Sequence, residues 1–288
     1  MDIRLIALDL DGTVLNSNGE LDAHTCDVLC RAAQKGIVIA AATGRAFCAL
    51  PDVIRRMSAF TYAITSNGTG IYRISDGDRL YTNPMSADNL GHLLPLLRAY
   101  PCPMEVFIDG IAYGDRHYVE HPLSFGISRR SADYVQATRT PHNDIPALIR
   151  QNYSRIEGMD IIVTDQLLKK EIRSKAERIP DLYVTSSVAH YLEFAAGSAS
   201  KETALRFLCS SLGIAPDQLM ACGDGENDLE MISLAGLGIA MGNACEALKA
   251  AAEHITDSNY ACGVANAIEA FVLSGQRPNS RAIGSTTA

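Results

Sequence analysis

The stretch "RLIALDLDGTVLNSNG" (residues 4–19) carries a hydrophobic run into two acids, Asp9 and Asp11, set two residues apart. Residues 5–10 read as a buried β-strand, short and almost wholly apolar. Carboxylates are costly beside a core unless something pairs with them. Residues i and i+2 of a strand point the same way, so both acids face one side where the strand ends. The partners of this acidic pair must be sought further along the chain.

Moving outward, the same texture recurs. Residues 22–35 read as a helix stopped by Gly36, and "IVIAAATGR" (37–45) as a second buried strand ending in a polar turn. A helix is expected over 46–57, then a third strand and a glycine-rich turn in "YAITSNGTGIY" (62–72). "QLMACGDG" (218–225) and "GLGIAMG" (236–242) repeat the pattern late in the chain. Uniformly apolar strands alternating with helices imply a parallel sheet covered on both faces.

Between these blocks the texture changes. "MEVFIDGIAYGD" (104–115) reads as a hairpin turning at Asp109-Gly110, a dipeptide that type I′ turns prefer. "DIIVT" (160–164), a helix over 166–178, "LYVTSS" (182–187) and "HYLEFA" (190–195) suggest an antiparallel sheet with helices. The expected fold is therefore α/β, a Rossmann-like parallel-sheet core in 1–83 and 191–273 interrupted by an α+β cap domain over 84–190. Phe107, Asp109 and Tyr113 of the hairpin are expected in strand core and turn rather than against a substrate. The tail, 274–288, has little to bury and is expected to be disordered.

Composition narrows the function. Hydrophobic residues make up 47% of the 288, charged residues 20%, and the net charge is -8. No basic stripe is present to neutralise nucleic-acid phosphates, so no nucleic-acid partner is expected. No apolar run spans a bilayer and no secretory cleavage pattern is present, so neither a membrane segment nor export is expected. Eight cysteines without a CxxC pair read as reduced and structural, which points to the cytoplasm. An anionic substrate would need a metal or a few well-placed cations.

Several alternatives fail on spacing. Gly236, Gly238 and Gly242 do not fit GxGxxG, and no GxxxxGK[ST] is present. Residues 224–228 could open a calcium loop, but its sixth position is Leu229 instead of glycine. His117 and His121 lack the glutamate of an HExxH pair and read as surface residues. What does stand out is convergence, because sites in open parallel sheets form beyond the carboxyl ends of strands. Asp9 and Asp11, then Thr43, Gly44 and Arg45, then 224–228 each follow such a strand end.

Four of these segments together resemble the motifs of the haloacid-dehalogenase-like phosphatases: "DLDGT" (9–13), "ATGR" (42–45), "SKETAL" (200–205) and "GDGEND" (223–228). They occur in the family's order, with the insert between the second and third. That placement, "SNGTGIY" (66–72) and "MGNA" (241–244) resemble the Cof-type branch. The resemblance implies a Mg²⁺-dependent phosphatase acting on small phosphorylated metabolites, such as sugar phosphates. Asp9 would be the nucleophile that forms an aspartyl-phosphate, and Asp11 the general acid and base. Mg²⁺ would bind the Asp9 carboxylate, the Asp11 carbonyl and Asp224. Thr43, the Gly44 N–H and Lys201 would hold the phosphoryl oxygens, with Gly12 leaving room for them. Asn227 would help to bind phosphate, and Asp228 would support the metal from behind. A phosphomutase on the same scaffold, or an idle regulator that binds a phosphorylated ligand, are the competing readings. Released inorganic phosphate separates the first rival, and turnover of an aryl phosphate the second.

Overall fold

The structure, a computed structural model, describes residues 2–186 and 188–274. Apart from Ser274, the tail expected to be disordered lies outside the described residues. The described residues divide into two compact units: those within 1–41, 57–61 and 206–288 form one, and those within 42–56 and 62–205 the other.

The first unit is built on parallel strands in the order His254–Ile255, Leu237–Ala240, Leu219–Gly223, Leu5–Leu8 and Val38–Ala42. Parallel neighbours cannot be joined by tight hairpins, so helices carry the chain back between them. Leu5, Ile6, Leu8, Ile39, Leu219, Met220 and Ile239 are fully buried, as a sheet covered on both faces requires. The helix Ala23–Gln34 begins at Asp22, whose side chain accepts the His24 and Thr25 N–H groups. It buries Val28, Leu29 and Ala32 and is followed by Gly36 at φ +82°, a conformation open to glycine at little cost. The parallel-sheet core expected from the sequence is thus present.

One local expectation fails at the point that matters most. The first strand ends at Leu8 instead of continuing to Leu10. The Val14 N–H donates to the Asp9 carbonyl at 3.3 Å and the Leu15 N–H to the Leu10 carbonyl at 2.8 Å, which curls residues 9–15 into a turn. Asp9 and Asp11 therefore stand on a loop, and the two-residue strand period does not govern them.

In the second unit the helix expected over 46–57 is two pieces, a 3₁₀ turn Phe47–Ala49 and a helix Asp52–Arg56. Pro51 divides them: it lacks an N–H and drives the preceding Leu50 to an extended ψ of 134°. Residues 62–65 pair antiparallel with Gly70–Arg73, which pairs with Arg79–Thr82. That last strand is largely exposed and has no apolar alternation to announce it.

The same unit holds a six-stranded sheet in the order Leu182–Thr185, Tyr191–Ala196, Ile156–Ile162, Met104–Ile108, Ile111–Asp115 and Thr140–His142. Its hairpin turns at Asp109 and Gly110, with φ of +49° and +75°, as type I′ geometry demands. Val106, Ile108, Met159, Ile161, Leu192 and Phe194 form a core with Leu90, Leu93, Ile149 and Ile172 from the helices Ala87–Leu97, Ile145–Gln151 and Gln166–Ala176. The first of these helices has a Ser86–Asn89 capping box and tolerates Pro95. Because strand residues alternate, the other face of the sheet carries Glu105, Phe107, Asp160 and Glu193. Phe107 packs with Ala46 and Ala112, Tyr113 lies against the core, and Asp109 pairs with Arg79 at 2.7 Å and with Arg155. All three thus have structural employment.

Candidate active site

In the first unit the loops after two adjacent strands, Leu5–Leu8 and Leu219–Gly223, bring three acids together. Carboxylate oxygens of Asp9, Asp224 and Asp228 lie within 4.8 Å of one another. Asp9 is 7% exposed and Asp228 1%, so the charges are not simply solvated. Asp228 is held by its own turn: its Oδ2 accepts the N–H groups of Asp224 and Gly225, both at 3.0 Å. Such charge-assisted bonds hold a carboxylate in a fixed orientation. Asp224 accepts the Thr13 hydroxyl at 2.8 Å, and its carbonyl accepts the Cys245 N–H at 3.0 Å.

Two glycines make the packing possible. Gly12 has φ +88°, and a Cβ there would stand 2.3 Å from Asp224 Oδ2. At Gly223 it would stand 2.5 Å from the Asp228 Cβ. Asn243 closes the group by donating its amide to the Gly12 carbonyl at 2.8 Å. Asn243 also accepts the Asn259 N–H at 3.0 Å, while Asn259 reaches the Leu15 carbonyl at 3.0 Å. Thr13 and Asn243 were only passengers in the motifs quoted above. Their anchoring roles are new.

The donor set is all oxygen, which suits a hard cation such as Mg²⁺ and not a thiolate-preferring metal. Three acids at this spacing repel one another unless a cation stands among them. The residues therefore fit a divalent hard cation. Asp11 is exposed and lies outside the cluster, while Asn227 is half-buried on the short turn Glu226–Asp228.

Thr43, Gly44 and Lys201 belong to the second unit. Thr43 is 1% exposed, donates its N–H to the Ile64 carbonyl at 2.9 Å and accepts the Arg45 N–H on its hydroxyl at 3.2 Å. Lys201 is equally buried and opens the helix Lys201–Leu212. The turn at residues 66–68 gathers them. The Asn67 N–H reaches the Thr43 carbonyl at 3.1 Å, and the Ser66 N–H reaches the Arg45 carbonyl at 2.9 Å. A Cβ on Gly44 would meet the Asn67 amide at 3.2 Å, and one on Gly68 would lie 2.0 Å from the Ser200 carbonyl oxygen. Ser66 and Asn67 both take positive φ, of 48° and 54°, to make this turn. Gly68 at φ +100° is thus the close approach that seats the start of the Lys201 helix.

Gly68→Ala is expected to lower stability by about 2–4 kcal/mol, combining backbone strain with a forced backbone displacement. It is also expected to raise KM for a phosphate ester, because Lys201 moves with Ser200. Chemical denaturation and steady-state kinetics check this; an unchanged denaturation midpoint would show that the contact can relax.

The comparisons agree with this geometry. A haloacid dehalogenase-like hydrolase family model matches residues 6–268. The chain belongs to that family. It is a hydrolase of phosphoric monoesters. The 5-amino-6-(5-phospho-D-ribitylamino)uracil phosphatase YcsE of Bacillus subtilis is 28% identical over 273 residues, covering 95% of this chain and 97% of the relative. The pyridoxal phosphate phosphatase YbhA of Escherichia coli is 28% identical over 280 residues, covering 95% and 100%. Among solved structures, a haloacid dehalogenase-like hydrolase from B. subtilis superposes with a TM-score of 0.81 at 26% identity, covering 93% of this chain and 99% of that one. Among the described residues, no helix is long and apolar enough to cross a membrane.

Proposed function

We propose that the protein is a Mg²⁺-dependent phosphatase of small phosphorylated metabolites that works through an aspartyl-phosphate on Asp9. The observation that carries this reading is the clustering of Asp9, Asp224 and Asp228 within 4.8 Å. Mg²⁺, held by Asp9, Asp224 and the Asp11 carbonyl, would supply charge neutralisation that lets a carboxylate meet an anionic ester. Asp228 has its Oδ2 committed to two backbone N–H groups, which suits an orienting role behind the ligands.

In this reading the Asp9 carboxylate attacks phosphorus and the leaving alkoxide departs with a proton from Asp11. Asp11, now a base, takes a proton from the water that hydrolyses the acyl phosphate and returns Asp9 to its starting state. Thr43, the Gly44 N–H, Lys201 and Asn227 hold the phosphoryl oxygens as charge builds up in transfer. Residues 84–190 act as the cap that reads the rest of the substrate. The names of the relatives, which act on a ribitylamino-uracil phosphate and on pyridoxal phosphate, support small metabolites as the substrate class. The eight cysteines are free thiols, the state a reducing cytoplasm maintains, so we place the enzyme there.

The test is hydrolysis of p-nitrophenyl phosphate with Mg²⁺, after chelation, and after Mg²⁺ is restored. Activity should vanish and return. Ca²⁺ should bind but support little turnover, since its looser shell misplaces the attacking oxygen. Asp224→Ala is expected to raise the half-saturating Mg²⁺ concentration by at least about tenfold. If the titration does not move, Asp224 is not a ligand.

A further inference from the structure

On the face of the six-stranded sheet opposite its hydrophobic core, three acids stand side by side. Glu105 is the cross-strand partner of Asp160, and Asp160 that of Glu193. All three are buried, at 0%, 6% and 6% exposure. Like charges directly opposite one another destabilise a sheet, so this row costs stability. Two of its members are engaged. Glu105 accepts the Arg139 guanidinium at 2.8 Å and the Tyr191 hydroxyl at 3.3 Å. Glu193 accepts the Asn67 amide at 2.7 Å.

Asp160, between them, is different. Among the described residues no hydrogen bond reaches its carboxylate. Arg139 attracts it but is committed to Glu105, and the nearby Glu193 interacts with the Lys169 ammonium, which is held by the Ser186 hydroxyl and the Ala189 carbonyl. Burial first, then the charges of Glu193 and Glu105, push the Asp160 carboxyl well above the usual range. An acid only 6% exposed that accepts no hydrogen bond among the described residues needs a reason.

Asp160 lines a small cavity together with Gly44, Asn67, Gly158, Thr185 and Glu193. Its free space is about 10 Å³, enough for one group the size of a water molecule or an ammonium. Gly158 lets the neighbouring strand come close at this wall, since a Cβ there would press on the Phe194 carbonyl at 3.1 Å. Gly44 follows Thr43 and Asn67 lies on the turn that gathers Thr43 and Lys201, so the cavity adjoins residues assigned to phosphate. A cavity of that size takes one small polar group, beside residues of the same unit that are assigned to phosphate.

Charge decides between the candidates. A hydroxyl would give Asp160 a hydrogen bond but leave it in the protonated form that burial and its two acidic neighbours favour. An ammonium supplies the bond and the opposite charge together, and keeps the acid ionised. We propose that Asp160, flanked by Glu105 and Glu193, recognises a protonated amino group on the leaving group, making amino-bearing phosphate esters the preferred substrates. This rests on the phosphatase reading above and deepens it.

The experiment is calorimetric binding to the Asp9→Asn protein with Mg²⁺, using ester pairs that differ by an amine against a hydroxyl. The probes are 2-aminoethyl and 2-hydroxyethyl phosphate, 3-aminopropyl and 3-hydroxypropyl phosphate, and glucosamine 6-phosphate and glucose 6-phosphate, so that reach is varied. At least one amino ester should bind about tenfold or more tightly than its partner, the discrimination a desolvated charge pair provides. Adding Asp160→Asn should bring that ratio to within about threefold of unity. No amine preference in any pair overturns the proposal, and so does a preference that survives Asp160→Asn. Failure of the wild-type protein to hydrolyse p-nitrophenyl phosphate instead overturns the phosphatase reading, which the binding arm does not touch.

Discussion

Asp9→Asn should abolish turnover, with a loss of roughly 10⁴–10⁶ in kcat, the scale seen when a covalent nucleophile is removed. The amide is almost isosteric with the carboxylate but carries no charge and attacks phosphorus poorly. The backbone there is held independently of the side chain: the Asp9 N–H donates to the Cys222 carbonyl at 3.0 Å, and its carbonyl accepts the Val14 N–H. The loop should therefore keep its course. Removing one of three clustered carboxylates also lowers their mutual repulsion, so metal-free protein should melt no lower than wild type. Chemistry and folding thus move in opposite directions, which a kcat measurement beside a melting curve separates. Turnover within about tenfold of wild type would remove Asp9 from the nucleophile's role.

Much of the fold could be read because its parallel strands are short apolar runs, such as residues 5–8 and 219–222, that leave little choice but burial. The hairpin at Asp109-Gly110 was legible for a different reason: few sequences other than such a dipeptide accept two successive positive φ angles. Local competition defeated the reading elsewhere. Pro51 split a helix that apolar periodicity alone would have continued, and the turn bonds from Val14 and Leu15 ended the first strand early. Arg79–Thr82 is a strand only because Gly70–Arg73 lies beside it, and no property of its own residues says so.

The candidate site divides in the same way. Asp224 and Asp228 were legible beside Asp9 because strand ends in a parallel sheet share an edge, and the cluster in the first unit realises that. The anchoring by Asn243 was not, since it depends on a side chain reaching a carbonyl 231 residues away. Nor was the acidic row. Glu105, Asp160 and Glu193 become neighbours only once strand register is known, and a slip of one residue would turn Asp160 into the core. Register is a property of the assembled sheet, and no single stretch of sequence carries it.

Asp11→Asn should cost less than the loss of Asp9 and leave a kinetic signature of its own. General acid–base catalysis contributes about 10²–10⁴, and that is the expected fall in kcat. Asp11 is exposed and stands outside the carboxylate cluster, which suits a group that must exchange protons instead of binding metal. The leaving group determines which step suffers. An alkoxide is a strong base and needs the Asp11 proton to depart, so an alkyl phosphate should stall before the aspartyl-phosphate forms. p-Nitrophenolate is a weak base and leaves unaided, so with the aryl ester the first step should survive. Hydrolysis of the aspartyl-phosphate needs Asp11 as a base whatever left before it. The variant should therefore release a rapid burst of p-nitrophenol equal to the enzyme present, followed by slow turnover, and give no burst with an alkyl ester. Rapid-mixing kinetics on both esters decide the matter. Equal slowing of the two without a burst, or turnover within about threefold of wild type, would take the proton-transfer role away from Asp11.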